Sequence, residues 1–285
     1  MATMAQNMRI RRVLLFPALL LLTAGYALAS ADADGVVVNN EGKAFKGNVR
    51  YKALNKVYII TSGASGGPQI TMEVPLAQVK SVTVAEPPDF RPSIKLLQEN
   101  KLAQAIAALD KISQEYAMLQ WDVPATRWLA EAYLRDGKPE QAVRACERVT
   151  DKRAEAAISG ELAPVYWQSL LAADRKTKLE DLLIQAAKSP IIDGQARANV
   201  MRGEVLRKQN RPKDALRDGY LRTVVLFRGW TDPSVREARA EALYKAAQCF
   251  DDLGIIAPAT KMRNFCMSDH ADSVWAQRLK AGETR

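Results

Sequence analysis

The sequence predicts an α+β chain with its two structure types in separate domains: a small antiparallel β barrel or sheet, then an all-α solenoid of about five helical hairpins. Three observations lead there. Four β-branched runs with partial alternation lie at 49–53, 56–61, 69–74 and 79–84, the pattern of short strands. Pro87, Pro88 and Pro92 then fall within six positions and interrupt both sheet and helix interior. Beyond them one frame recurs four times: a small residue, a large apolar one three later, a turn-former four further on, and an alanine five beyond that. The frames are Ser93-Leu96-Asn100-Ala105, Ala130-Tyr133-Gly137-Ala142, Gly203-Leu206-Asn210-Ala215 and Ala247-Phe250-Gly254-Ala259. Spacings of three and four put the first two residues on one helix face. The Gly or Asn suits a left-handed helix end, and the alanine lets a second helix pack close.

Residues 1–29 carry the pattern of an export leader. Arg9, Arg11 and Arg12 form a positive start, residues 13–22 are apolar apart from Pro17, and Ala27-Leu28-Ala29 offers a small-x-small cleavage site. An uncleaved anchor is the alternative, but the apolar run is short beside the roughly 20 residues of a spanning helix. The chain is 285 residues long with a formal charge of +9; nine less the three leader arginines leaves +6. This reading makes the mature chain a soluble, mildly basic exported protein with a periplasmic address.

Residues 30–85 are the expected β domain. Its strand rhythm, with Gly47 opening a strand and Val74-Pro75-Leu76, Val79 and Val82 closing it, resembles small SH3-like or Sm-like barrels. Residues 86–92 are the expected linker, stiff enough to hold the β domain at a set distance from the helices. Residues 93–285 are the expected helical domain, with hairpins at 92–100 and 102–120, 123–136 and 139–151, 159–174 and 177–188, 195–209 and 212–228, 235–253 and 257–280. Pro139, Pro212 and Pro258 stand near the starts of second helices, where a missing N–H costs least. Between Ala142 and Ala215 there is room for one degenerate unit, for which Ala172 with Leu179 fits best.

These units resemble tetratricopeptide (TPR) repeats, which are about 34 residues long; the frames around Gly137 and Gly254 match best. Arg202, where an apolar residue is usual, and Gly219, where a bulky one is, depart from the pattern. The resemblance implies a non-catalytic scaffold whose first helices line a concave surface for other proteins. Positions counted along those helices are Arg127, Glu131 and Arg135, then Arg197, Glu204, Arg207 and Lys208, then Tyr244, Gln248 and Asp251. The cations among them would suit acidic segments, and the partners expected in this compartment are envelope assembly or secretion components. Two rival readings remain at this point: a glycan-binding subunit of an envelope enzyme system, and a nucleic-acid binder using the basic stretch from Arg197 to Arg228.

Catalytic chemistry has little to work with, and no cofactor or metal is expected. His270 is the single histidine, so nucleophile–histidine arrangements lack a base near any candidate. No His/Cys spacing suits zinc, and the glycine-rich run at 62–67 lacks the Lys-Ser/Thr of a phosphate loop. The cysteines are Cys146, Cys249 and Cys266. The last two flank the Ala257-Pro258 turn symmetrically, so a disulfide is one reading and buried thiols the preferred one. Trp121, Trp128, Trp167 and Trp275 read as packing residues, whereas Trp230, beside Gly229, reads as an exposed anchor.

Overall fold

The computed structural model describes residues 32–63 and 68–282. The expected leader lies outside the described residues. Five strands come first: β1 (Ala33–Asn39), β2 (Ala44–Lys52), β3 (Val57–Ser62), β4 (Ile70–Pro75) and β5 (Val79–Val84). They form one antiparallel sheet in the order β4-β3-β2-β1-β5. The ladder that would close a barrel, β4 against β5, is not formed among the described residues. β1 is a strand that the alternation argument overlooks, because Asp34-Gly35 breaks the pattern ahead of three valines. It nevertheless pairs on both sides, with Val37 opposite Phe45 and Val82.

The helices follow. They are α1 (Phe90–Gln98), α2 (Leu102–Glu115), α3 (Asp122–Arg135), α4 (Pro139–Thr150), α5 (Leu162–Ala172), α6 (Lys176–Lys188), α7 (Ile192–Lys208), α8 (Pro212–Ala215), α9 (Leu221–Leu226), α10 (Pro233–Asp252), α11 (Ile256–Asp269) and α12 (Val274–Lys280). A π-helical turn at Leu216–Tyr220 joins α8 to α9. The inner row is α1, α3, α5, α7 and α10, each packed on the next. The outer row is α2, α4, α6, α8–α9 and α11, each packed on its own inner partner. Such a stack buries its core one neighbour at a time.

One hydrogen bond repeats at every inner-to-outer turn. Lys101 N donates to Leu96 O at 2.9 Å, Lys138 N to Tyr133 O at 2.8 Å, Arg175 N to Leu170 O at 2.8 Å, Arg211 N to Leu206 O at 3.0 Å, and Ile255 N to Phe250 O at 2.8 Å. This is the six-to-one bond of a Schellman cap, which requires a left-handed residue just before the donor. Asn100, Gly137, Asp174, Asn210 and Gly254 supply it, with φ of 59°, 68°, 56°, 58° and 73°. The degenerate middle unit is therefore Trp167-Leu170-Asp174-Leu179. Leu179 sits where expected, but Trp167, not Ala172, holds the small-residue position. Trp167 is fully buried and its indole donates to Ala157 O at 2.9 Å.

Three expectations need correction. The segment 86–92 is not a spacer: α1 already starts at Phe90, with Pro92 in its first turn, where proline is tolerated. α2 ends at Glu115, and the loop after it plugs the sheet. Met118 and Leu119 are buried in one core with Val37, Val49, Tyr58 and Ile60. Tyr58 Oη donates to Met118 O at 2.8 Å, and Trp121 Nε1 donates to Val84 O at 3.1 Å. Sheet and helices thus share packing. Finally, the helix expected at 257–280 breaks after Asp269. The Ser273 hydroxyl accepts from Ala276 N at 3.1 Å and restarts the chain as α12, which folds back onto α10 and α11.

The thiols of Cys146, Cys249 and Cys266 are all free and buried. Cys266 Sγ points at Ala240 O, 3.6 Å away. Burial pushes Cys249 and Cys266 each up to about 11.

Candidate functional site

The inner-row residues named from the sequence fall into two groups. On α3, Arg127 lies over the Trp128 ring at 4.0 Å. Glu131 and Arg135 pair with each other one turn apart. These three sit apart from the residues of α7 and α10, which the structure does bring together. Arg207 donates to Gln248 Oε1 at 3.0 Å and to Asp252 Oδ2 at 2.9 Å. Glu204 accepts from Tyr220 Oη at 2.6 Å and faces Lys245 Nζ at 2.8 Å; Lys245 also reaches Glu241 at 2.8 Å. Asp251 pairs with Arg263 of α11. Tyr244 is only 5% exposed and packs on Trp275, ring centres 5.2 Å apart. Its expected place on an open surface is corrected, because α12 folds over it. Arg197 is half-buried, with its Nε unpartnered.

The electrostatics of this cluster follow from its pairing. Burial alone would raise the Glu204 carboxyl, but Lys245, the Tyr220 hydroxyl and Arg207 outweigh it and hold it below the usual range. Burial would lower Lys245, yet Glu241 and Glu204 keep it above its ordinary value. The inner face between α7 and α10 is thus largely closed on itself. Its charges join two helices, and they leave little for a ligand.

The outer row behaves differently. Ion pairs stitch its first three members together: Arg148 to Asp110 at 2.5 Å between α4 and α2, then Arg175 to Glu140 at 3.1 Å and Lys178 to Glu147 at 2.6 Å at the α6–α4 step. Among the described residues no ion pair joins α6 to α8–α9. There a groove of about 910 Å³ opens, floored by α7. Leu183 of α6 and Val205 of α7 belong to the core of the third hairpin, whereas Leu206 packs into that of the fourth. The groove therefore lies over the seam between two cores. Ile184, 45% exposed, stands on its α6 wall.

The groove rim is cationic. Lys188, Arg202 and Lys208 line it, are exposed, and have no ion-pair partner among the described residues. Of the acids that line it, Asp174 pairs with Lys176 at 2.8 Å and Asp218 with Arg217 at 2.6 Å. Lys208, expected on the concave face, lies instead on this outer groove, and Arg202 enters the sequence reading only as a departure from the repeat pattern. Ile184 gave no signal, since a lone apolar residue on an outer helix reads as ordinary surface.

His270 is buried, its Nε2 2.7 Å from Arg239 Nη1. Burial first, then the neighbouring Arg239 and Arg236, holds it below the usual imidazole value. No cluster of three or more His, Cys, Asp or Glu is placed to hold a metal, and no helix is long and apolar enough to cross a membrane, among the described residues.

No protein-family model matches the chain, and no curated protein does. Solved structures align at low scores. A crystal structure of MamA is 17% identical over 63% of this chain and 95% of its own, with a TM-score of 0.39. PilF of Pseudomonas aeruginosa is 15% identical over 68% and 95%, at 0.37. YrrB, described as a TPR protein with an unusual peptide-binding site, is 17% identical over 68% and 91%, at 0.34. Likeness at this level says nothing about what this chain binds.

Proposed function

We propose that this chain is an exported, non-catalytic adaptor whose TPR-like hairpin stack holds a segment of another protein in the cell envelope. The observation that carries the reading is the unstitched α6–α8 step. A stack that pins its outer helices together at two steps and leaves the next two unpinned among the described residues, the first of them over an apolar-floored groove with surplus charge, has the form of a binding surface. The leader pattern at 1–29 supports export, and an envelope assembly or secretion component is the class of partner that fits this address. The buried, arginine-facing His270 supports a non-catalytic role.

The test is chemical crosslinking of the tagged full chain in its native envelope, with fractionation of the same cells. The expected result is a discrete crosslinked protein complex in the periplasmic fraction, with the chain cut after Ala29. Recovery of the uncut chain from the cytoplasm would overturn the address. A chain that crosslinks to no protein would overturn the adaptor reading.

A further inference from the structure

We infer that the groove between α6 and α8 receives an acidic amphipathic helix from a partner protein, making the outer face and not the concave face the specific docking site. This rests on the adaptor reading and names the partner segment.

The shape argument comes first. α6 and α8 are neighbouring outer helices, and α7 forms the floor between them. α6 walls one side, and Arg211 and Asp218, flanking α8, bound the other end; the trough between α6 and the α7 floor is the shape that a further helix fills by ridge-into-groove packing. Val205 and Leu206 of the α7 floor are partly exposed, and Ile184 stands exposed on the α6 wall, with Leu179 and Leu183 buried behind it. A helix with apolar residues at i, i+3, i+4 and i+7 matches such a surface.

Charge then selects the partner. Lys188 and Lys208 project at the rim with no ion-pair partner among the described residues, Arg202 makes no close ion pair and acts on the Asp218 carboxyl only from a distance, and Glu180 is the one acid of the lining with no pair among the described residues. Carboxylates flanking the apolar stripe of the incoming helix would pair with these cations, while lysines there would be repelled. On the concave side the corresponding charges are already committed: Arg207 to Gln248 and Asp252, Glu204 to Tyr220 and Lys245. The smaller cavity at the α4–α6 step, about 450 Å³, is bridged by the pairs of Arg175 and Lys178, so it offers no comparable surplus.

Two measurements test this. In the first, the purified full chain is titrated with a labelled helix-forming peptide of about five turns, bearing a leucine stripe flanked by glutamates. The counterpart carries lysine in place of each glutamate. The glutamate peptide should bind at least about tenfold tighter, lose affinity as salt rises, and be weakened about tenfold by R202E/K208E and by I184E. An R127E variant should bind as the parent does. Equal affinity for the two peptides, including no binding by either, overturns the inference, as does indifference to R202E/K208E in a variant whose circular dichroism is unchanged.

In the second, a photocrosslinking residue replaces Ile184 or Gln209 in the groove, or Arg127 or Gln248 on the inner face, in living cells. Adducts from the groove positions, mapped to an acidic amphipathic segment and lost in R202E/K208E, support the inference. Protein adducts from the inner face alone overturn it and leave the adaptor reading standing. Adducts to nucleic acid overturn it too. No adduct from any position removes both readings.

Discussion

Gly219 lies so close to Gly203 that a Cβ built on it would stand 2.5 Å from the Gly203 Cα. A Cβ on Gly203 would in turn meet the Tyr220 ring at 2.5 Å. The π-helical turn brings α7 and the fourth outer helix together backbone to backbone, and it aims Tyr220 at Glu204. Gly219, which departs from the TPR pattern, is therefore a consequence of this crossing.

Replacing Gly219 by alanine should destabilise the chain by about 1–3 kcal/mol, because backbone cannot yield as a flexible side chain can. Urea unfolding of G219A against the parent measures it. A midpoint indistinguishable from the parent would show that the crossing is looser than described.

Lys245 bridges two carboxylates, Glu204 and Glu241, and its side chain is only 14% exposed. Lys245→Met should cost about 3 kcal/mol, since two partly buried anions lose their partner. The acid limb should move as well. A carboxyl held below its usual value stabilises the fold above the ordinary carboxylate range, and that contribution is lost as pH falls through the folded value. Without Lys245 the Glu204 carboxyl rises towards or above its unfolded value, so K245M, though less stable at neutral pH, should lose less stability than the parent as pH falls through the carboxylate range; an equal or larger acid loss in K245M would show that Lys245 does not hold Glu204 down.

His270 provides a second pH handle. Its folded value is depressed below 6.5 by burial and by Arg239, so the unfolded chain binds a proton that the folded chain refuses. Stability is then greatest above pH 6.5 and falls as pH drops from there through the folded value. Comparing urea midpoints at pH 7.5 and near the carboxylate range, H270N should show a smaller loss than the parent across that window. Parallel losses would mean that the imidazole is solvated.

The three cysteines should resist alkylation in the folded chain near neutral pH, since burial raises all three and thiolate is the reactive form. In denaturant without reductant, all three should react. Finding one reactive thiol instead would establish a bond between two of the three, and if the reactive one were Cys146 it would set aside the free state of Cys249 and Cys266.

Much of the architecture was legible because a capped turn demands particular chemistry. Asn100, Gly137, Asn210 and Gly254 mark four of five turns at fixed distance from buried partners. The fifth was obscured because Trp167 and Leu179 occupy both small-residue positions and Asp174 takes the left-handed one. The break before α12 is visible only as Asp272-Ser273 inside an otherwise helical run, and a capping serine there competes with many solvated ones. The candidate groove was less legible still. Ile184 and Arg202 lie on different helices, and either alone reads as solvated surface. Counting along inner helices did find Glu204, Arg207 and Gln248 as neighbours, but periodicity cannot tell a face turned to a guest from a face turned to its own chain.

α12 stands to α10 and α11 as α10 stands to α7 and α9. Trp275 and Ala276 occupy ground that the opening helix of a sixth hairpin would need. The last hairpin thus meets a single helix of the same chain, and the aromatic ring of Trp275 is spent sealing Tyr244 there.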